Sequence, residues 1–305
     1  MRDPEPISPE RIDLVFREQG FVPTGEVATT LFLAESLGKP LLLEGPPGVG
    51  KTEIGKLWAR CHRAELIRLQ CYEGLDEAKA LYEWSYGKQM LYAQLLREKT
   101  AELLGGAGDL PTAIRALAGQ TDGFFSQEFL LERPLLRAIT CEGPAVLLVD
   151  EVDRADEEFE AFLLEMLAEG QVSIPELGTL RASRPPRVIL TSNDSRDLSD
   201  ALRRRCLYLY IDYPTAGEEA QIVESRVPGI SSRLAGQLVQ FTQRVRKSSL
   251  RKQPGIAETV DWALALVAVG ADSLSGDALR KTLGALLKNR EDLEQVLSDL
   301  SHRRS

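Results

Sequence analysis

The chain has 305 residues, enough for one large or two ordinary domains with a sizeable core. Its 37 Lys and Arg face 46 Asp and Glu, and the resulting net charge of −9 gives phosphate backbones and anionic lipid no general attraction, which disfavours a nucleic-acid motor. Cys61, Cys71, Cys141 and Cys206 lie far apart without a CxxC pair, and His62 and His302 are the only histidines, so zinc fingers and disulfide scaffolds are excluded.

In chain order, the opening MRDPEPISPER has no apolar core and does not read as a signal peptide. The longest apolar run, 262–270, is far short of the ~20 residues of a membrane span, so no membrane span and a cytoplasmic location are expected. The Leu run at 41–43 reads as a buried strand. Gly45-Pro46-Pro47-Gly48-Val49-Gly50-Lys51-Thr52 follows it and leads into a helix starting near Lys51. This GxxxxGK[ST] pattern in strand-to-helix context cradles a triphosphate. Its glycines let successive N–H groups point inward at the positive end of a helix. Lys51 offers a cation to the β and γ phosphates, and Thr52 a hydroxyl to a magnesium shell, so ATP and Mg are the expected ligands.

A second strand is read at 66–69. The stretch from there to the third strand is too long for one crossover helix and implies an insert of about 74–134, with helical spacing at 75–84, 88–104, 110–118 and 126–139. Within it Tyr82, Trp84 and Tyr86 alternate, suiting either ordinary packing or a grip on a client protein. The third strand, 146–149, ends in Asp150 and Glu151, at the strand edge where open α/β sheets bind ligands. Asp150 is placed to hold magnesium and Glu151 to polarise the attacking water. Val172 and Ile174, a turn at 175–178 and Leu180 read as a hairpin. The fourth strand, 188–190, ends in Thr191-Ser192-Asn193, whose amide can orient water or simply form a turn. Leu198-Ser199-Asp200-Ala201-Leu202-Arg203-Arg204-Arg205-Cys206 reads as a short helix ending in cations ahead of a fifth strand at 207–211. These arginines suit either the helix C-terminus or the ATP of a neighbouring subunit. After Pro214 the strand signals stop, and amphipathic segments follow at 217–225, 231–246, 257–269, 275–288 and 291–302. The expected organisation is an α/β nucleotide-binding domain over 1–213 and a helical lid domain over 214–305.

Taken together, GPPGVGKT, VLLVDEVDRAD, TSN and LSDALRRRC resemble the AAA+ superfamily of P-loop NTPases, and within it the MoxR family of chaperone-like ATPases. QGFVPTGEVA, IRLQCYEGLDEAKALYEW, QVSIPELGTLRA and QPGIAETVDWA are similar to its CoxD-like branch, which accompanies carbon monoxide dehydrogenase maturation. The resemblance implies a parallel five-stranded sheet of order 5-1-4-3-2, a C-terminal helical lid, a helix-2 insert, and a homo-oligomeric ring, usually a hexamer. It implies Val22 at the adenine, Arg205 as first choice and Arg204 as second for an arginine finger acting in trans, a partner with a von Willebrand factor A domain, and a molybdenum-copper metalloenzyme client. One position departs from the pattern. Glu258 stands where many relatives open the third lid helix with an arginine, leaving Arg251 and Lys252 as the nearest cations. The alternatives are a nucleic-acid motor or clamp loader, which the acidic balance disfavours, and a nucleotide switch with little turnover, to which Glu258 lends weight.

Overall fold

The computed structural model describes residues 7–23, 25–91, 94, 129–175 and 177–302. Two N-terminal helices, α1 (Pro9–Glu18) and α2 (Gly25–Leu37), precede β1 (Leu41–Glu44), which leads through the glycine-rich loop into α3 (Lys51–Cys61). Then come β2 (Glu65–Gln70), α4 (Glu77–Leu81), β3 (Tyr82–Trp84), β4 (Leu130–Glu132), α5 (Pro134–Thr140) and β5 (Ala145–Asp150). After a 3-10 turn at Val152–Arg154 follow α6 (Glu157–Glu169), the strands β6 (Gln171–Ile174) and β7 (Gly178–Arg181), β8 (Arg187–Ser192), α7 (Asp200–Arg205) and β9 (Leu207–Tyr210). The C-terminal helical region holds α8 (Ala216–Arg226), α9 (Ser232–Arg246), α10 (Ile256–Ala268), α11 (Gly276–Leu286) and α12 (Arg290–His302).

Five strands form one parallel sheet in the order β2-β5-β8-β1-β9, which is 5-1-4-3-2 when only these five are counted. The side chains of the three inner strands β5, β8 and β1 are buried on both faces, as near-continuous apolar runs require, whereas the edge strands β2 and β9 expose part of theirs. Leu42, Leu147, Val149 and Leu190 face one core with Leu135, Leu136 and Phe159. Leu41, Leu43, Val146, Leu148 and Ile189 face the other with Ile12, Phe16 and Trp58. A third apolar cluster, centred on Trp262, Phe241, Leu238 and Leu283, is built from the C-terminal helices. The alternation of strand and helix therefore delivers the C-terminal ends of β1, β5 and β8 to one edge, facing the start of α3.

The insert departs from its helical reading. The expected helix at 75–84 stops at Leu81, because Tyr82–Trp84 pairs antiparallel with Leu130–Glu132. The expected helix at 126–139 starts only at Pro134, whose ring fits the first turn of a helix. The segment 110–118 and most of 88–104 lie outside the described residues. Of the alternating aromatics, Trp84 is buried and meets Tyr82 edge to face at 5.9 Å, whereas Tyr86 is exposed. The β6–β7 hairpin forms as read. Among the described residues no helix is long and apolar enough to cross a membrane.

Candidate nucleotide site

The loop between β1 and α3 is shaped by its glycines. Gly45, Gly48 and Gly50 hold φ of 155°, 79° and 101°, a region that side-chain-bearing residues avoid. A Cβ on Gly45 would lie 2.0 Å from the Ile211 carbonyl oxygen, so the end of β9 and the loop approach as bare backbone. The loop borders a cavity of about 910 Å³. Pro47, Gly48, Val49, Gly50, Lys51 and Thr52 line it, as do Val22, Asp150, Glu151 and Asn193. Gly45 and Pro46 contribute through their carbonyls.

Those carbonyls accept from Lys51 Nζ at 2.6 and 2.8 Å, and Asn193 Oδ1 accepts from it at 2.9 Å. Lys51 is 6% exposed, and burial pulls its amine down to about 8; Asp153, Asp150, Glu151 and Glu44 resist the fall. Thr52 Oγ1 lies 3.0 Å from both carboxylate oxygens of Asp150. The Thr191 hydroxyl donates to Asp150 Oδ1 at 2.6 Å and accepts the Glu151 N–H at 2.9 Å, tying β8 to the end of β5. Glu151 sits at φ 56°, ψ 51°, left-handed backbone that turns it out of the strand, and its carboxylate accepts from Arg154 at 3.0 Å.

Three further polar residues belong to this arrangement without having been read from the sequence. Arg68 on β2 donates to Asp150 Oδ2 from Nη2 at 2.6 Å and from Nε at 3.1 Å. Its place depends on pairing β2 with β5, which no local pattern encodes. Asp153, buried, accepts from the backbone N–H of Asn193 at 3.2 Å and of Ser195 at 3.0 Å, and from the Ser195 hydroxyl at 2.5 Å. It thereby fixes the turn that presents the Asn193 amide; the signal available was a third acid two residues beyond Glu151. Thr191 lay within the strand-end motif itself.

Arg204 and Arg205 end α7 exposed and outside this cavity. Arg205 donates to the Leu164 carbonyl at 3.1 Å, while Arg203 turns inward to Glu44 at 2.9 Å. Glu258 lies in the first turn of α10, where it accepts the Gly255 N–H at 3.1 Å and caps its own helix. Of the nearby cations, Arg251 pairs with Glu291 and Lys252 lies 3.9 Å from Glu258.

The oxygen donors Thr52, at the start of α3, and Asp150, at the end of β5, fit a magnesium ion, which favours few protein oxygens beside phosphate and water. Together with the glycine cradle and a buried ammonium, they fit a magnesium-bound nucleoside triphosphate.

The model of a family described as AAA domain (dynein-related subfamily) matches residues 40–206, more than half of the chain. The denitrification regulatory protein NirQ of Pseudomonas aeruginosa is 26% identical over 244 residues, 77% of this chain and 78% of NirQ. The ATPase family AAA domain-containing protein FIGL1 of Arabidopsis thaliana is 29% identical over 204 residues, 62% of this chain but only 22% of FIGL1. Among solved structures, the Thermotoga maritima RuvB Holliday junction branch migration motor is similar with a TM-score of 0.46 and 21% identity, covering 88% of this chain and 69% of that one.

Proposed function

From the premise that this chain belongs to the dynein-related subfamily of AAA domains, we propose that it works as a ring of identical subunits whose turnover remodels a metalloenzyme client. The chain is an AAA+ ATPase. The observation that carries the reading of its site is the convergence of Lys51, Thr52, Asp150 and Asn193 within hydrogen-bond distance at one loop. In this reading the amides of 45–52 bind the phosphates, Lys51 neutralises them, and Val22 borders the adenine. Glu151 takes the proton of the attacking water, and Asn193 orients that water. Thr52 and Asp150 would hold magnesium, which supplies charge neutralisation to the phosphate oxygens. Arg205, or failing it Arg204, reaches the ATP of the adjoining subunit. We divide the chain into a nucleotide-binding domain, 1–213, carrying the insert, and a lid, 214–305.

The client assignment rests on the resemblance to CoxD-like proteins. It names a hexameric ring, a von Willebrand factor A partner, and metal or sulfur insertion into a molybdenum-copper carbon monoxide dehydrogenase. A switch with little turnover draws on Glu258, whose carboxylate is engaged in capping and leaves α10 without an arginine toward the phosphates. The test is affinity capture with Glu151→Gln in the presence of magnesium and ATP. Retention of a von Willebrand factor A protein or a molybdenum hydroxylase subunit is expected. Steady turnover by a strictly monomeric wild type would remove the trans arginine, and equal single-turnover rates in wild type and Glu151→Gln would remove the hydrolytic role of Glu151.

A further inference from the structure

We propose that the C-terminal helices sense the phosphate loop through a backbone contact between Gly255 and Gly48, with Gly255 and Ile256 as its positioning residues. This rests on the ATP reading above. A Cβ on Gly255 would lie 2.8 Å from Gly48 Cα, and one on Gly48 would lie 2.9 Å from Gly255 Cα. The Ile256 N–H donates to the Gly48 carbonyl at 3.0 Å. Gly48 needs glycine for its own positive φ, but Gly255 does not: at φ −80°, ψ −175° any residue fits. As the N-cap of α10, position 255 would be served at least as well by Ser, Asp or Asn. What bars a side chain there is the phosphate loop.

The contact is held from behind. Arg246 donates to the Pro254 carbonyl at 2.7 Å, is gripped by Glu219 at 2.6 and 2.7 Å, and stacks 4.4 Å from the Tyr213 ring. The Tyr213 hydroxyl reaches the Pro47 carbonyl at 3.5 Å. Pro47 and Gly48 are thus both held from beyond residue 212, and one buried guanidinium touches both Tyr213 and Pro254, the residue ahead of Gly255. A nucleotide that re-sets Pro47 and Gly48 moves α10 with them, and by linkage the hold on α10 alters nucleotide affinity by the same factor. The backbone contact does the work for which Glu258 is chemically unsuited.

Two variants of the full chain test this by hydrogen exchange with and without magnesium and a non-hydrolysable ATP analogue. Gly255→Ala wedges α10 from the loop. Ile256→Pro removes the donated bond and sets the ring Cδ against the Gly48 carbonyl, yet leaves α10 itself intact, because the first N–H of a helix has no partner within it and the extended ψ of Gly255 suits a following proline. In wild type, exchange is expected to change over both 45–52 and 256–268. In either variant the response over 45–52 persists, that over 256–268 is lost, and nucleotide affinity shifts by about fivefold or more. If Gly255→Ala does not fold, Ile256→Pro carries the test. A wild-type-sized response over 256–268 in a folded variant overturns the inference. So does a wild type that responds over 45–52 but not over 256–268, with the ATP reading left standing. A wild type unresponsive over 45–52 removes the ATP reading and this inference with it.

Discussion

Lys51 in the phosphate loop and Arg246 among the C-terminal helices are equally buried, each 6% exposed, yet their charges are met in opposite ways. Arg246 donates to both oxygens of Glu219, so its charge is cancelled where it lies. Lys51 touches only two carbonyls and one amide oxygen, and the acids around it stand off. Dipoles hold an ammonium in place without neutralising it, and a buried cation in that condition attracts an anion strongly. The difference separates a cation that builds the fold from one kept for a ligand. Arg205 adds a third case, an exposed cation resting on a single carbonyl.

The largest effect is expected at this third cation. Arg205→Ala should lower turnover by roughly 10³ to 10⁵, the range of an arginine finger, with little change in denaturant midpoint. If turnover survives that change but not Arg204→Ala, the finger is Arg204. Next, Arg246→Met should cost about 3–5 kcal/mol in urea unfolding, because it strands Glu219, and adding Glu219→Leu should restore most of the loss. Failure of that restoration would mean that Arg246 holds the fold chiefly through Pro254 and Tyr213. Lys51→Met should weaken ATP binding in calorimetry by about one to two orders of magnitude, yet raise the melting temperature of the nucleotide-free protein, since it removes an unneutralised buried charge.

The smallest and most diagnostic effect is with pH. The Lys51 amine titrates at about 8 in the folded chain against an ordinary 10.5. Below about 8 it is charged both folded and unfolded, and the full cost of burying it applies. Between these values the unfolded chain binds the extra proton, so this group's contribution to stability rises with pH. ATP affinity should fall over the same range as the cation is lost. Melting temperatures and calorimetry on wild type and Lys51→Met, compared across that interval, check both signs.

Much of this was legible beforehand where the chemistry is local. The five core strands announce themselves as short Leu- and Val-rich runs, the C-terminal helices by three-to-four-residue apolar spacing, and the loop by its glycines ahead of Lys51 and Thr52. The strands within the insert were not, because residues 82–84 and 130–132 become strands only through pairing with each other, nearly 50 positions apart. Arg68 and Asp153 escaped for a related reason. One reaches Asp150 across strand register and the other reaches the turn after β8, so their roles exist only once the sheet is assembled.

The left-handed backbone of Glu151 has an evolutionary consequence. A residue with a side chain in that conformation gives up roughly 1–2 kcal/mol that glycine would recover. Selection for heat resistance alone would therefore favour glycine at position 151, at the expense of the carboxylate to which the proposed mechanism assigns the proton of the attacking water. The chain carries a glutamate where glycine would relieve the strain, the pattern expected where the reaction and not the fold selects the residue.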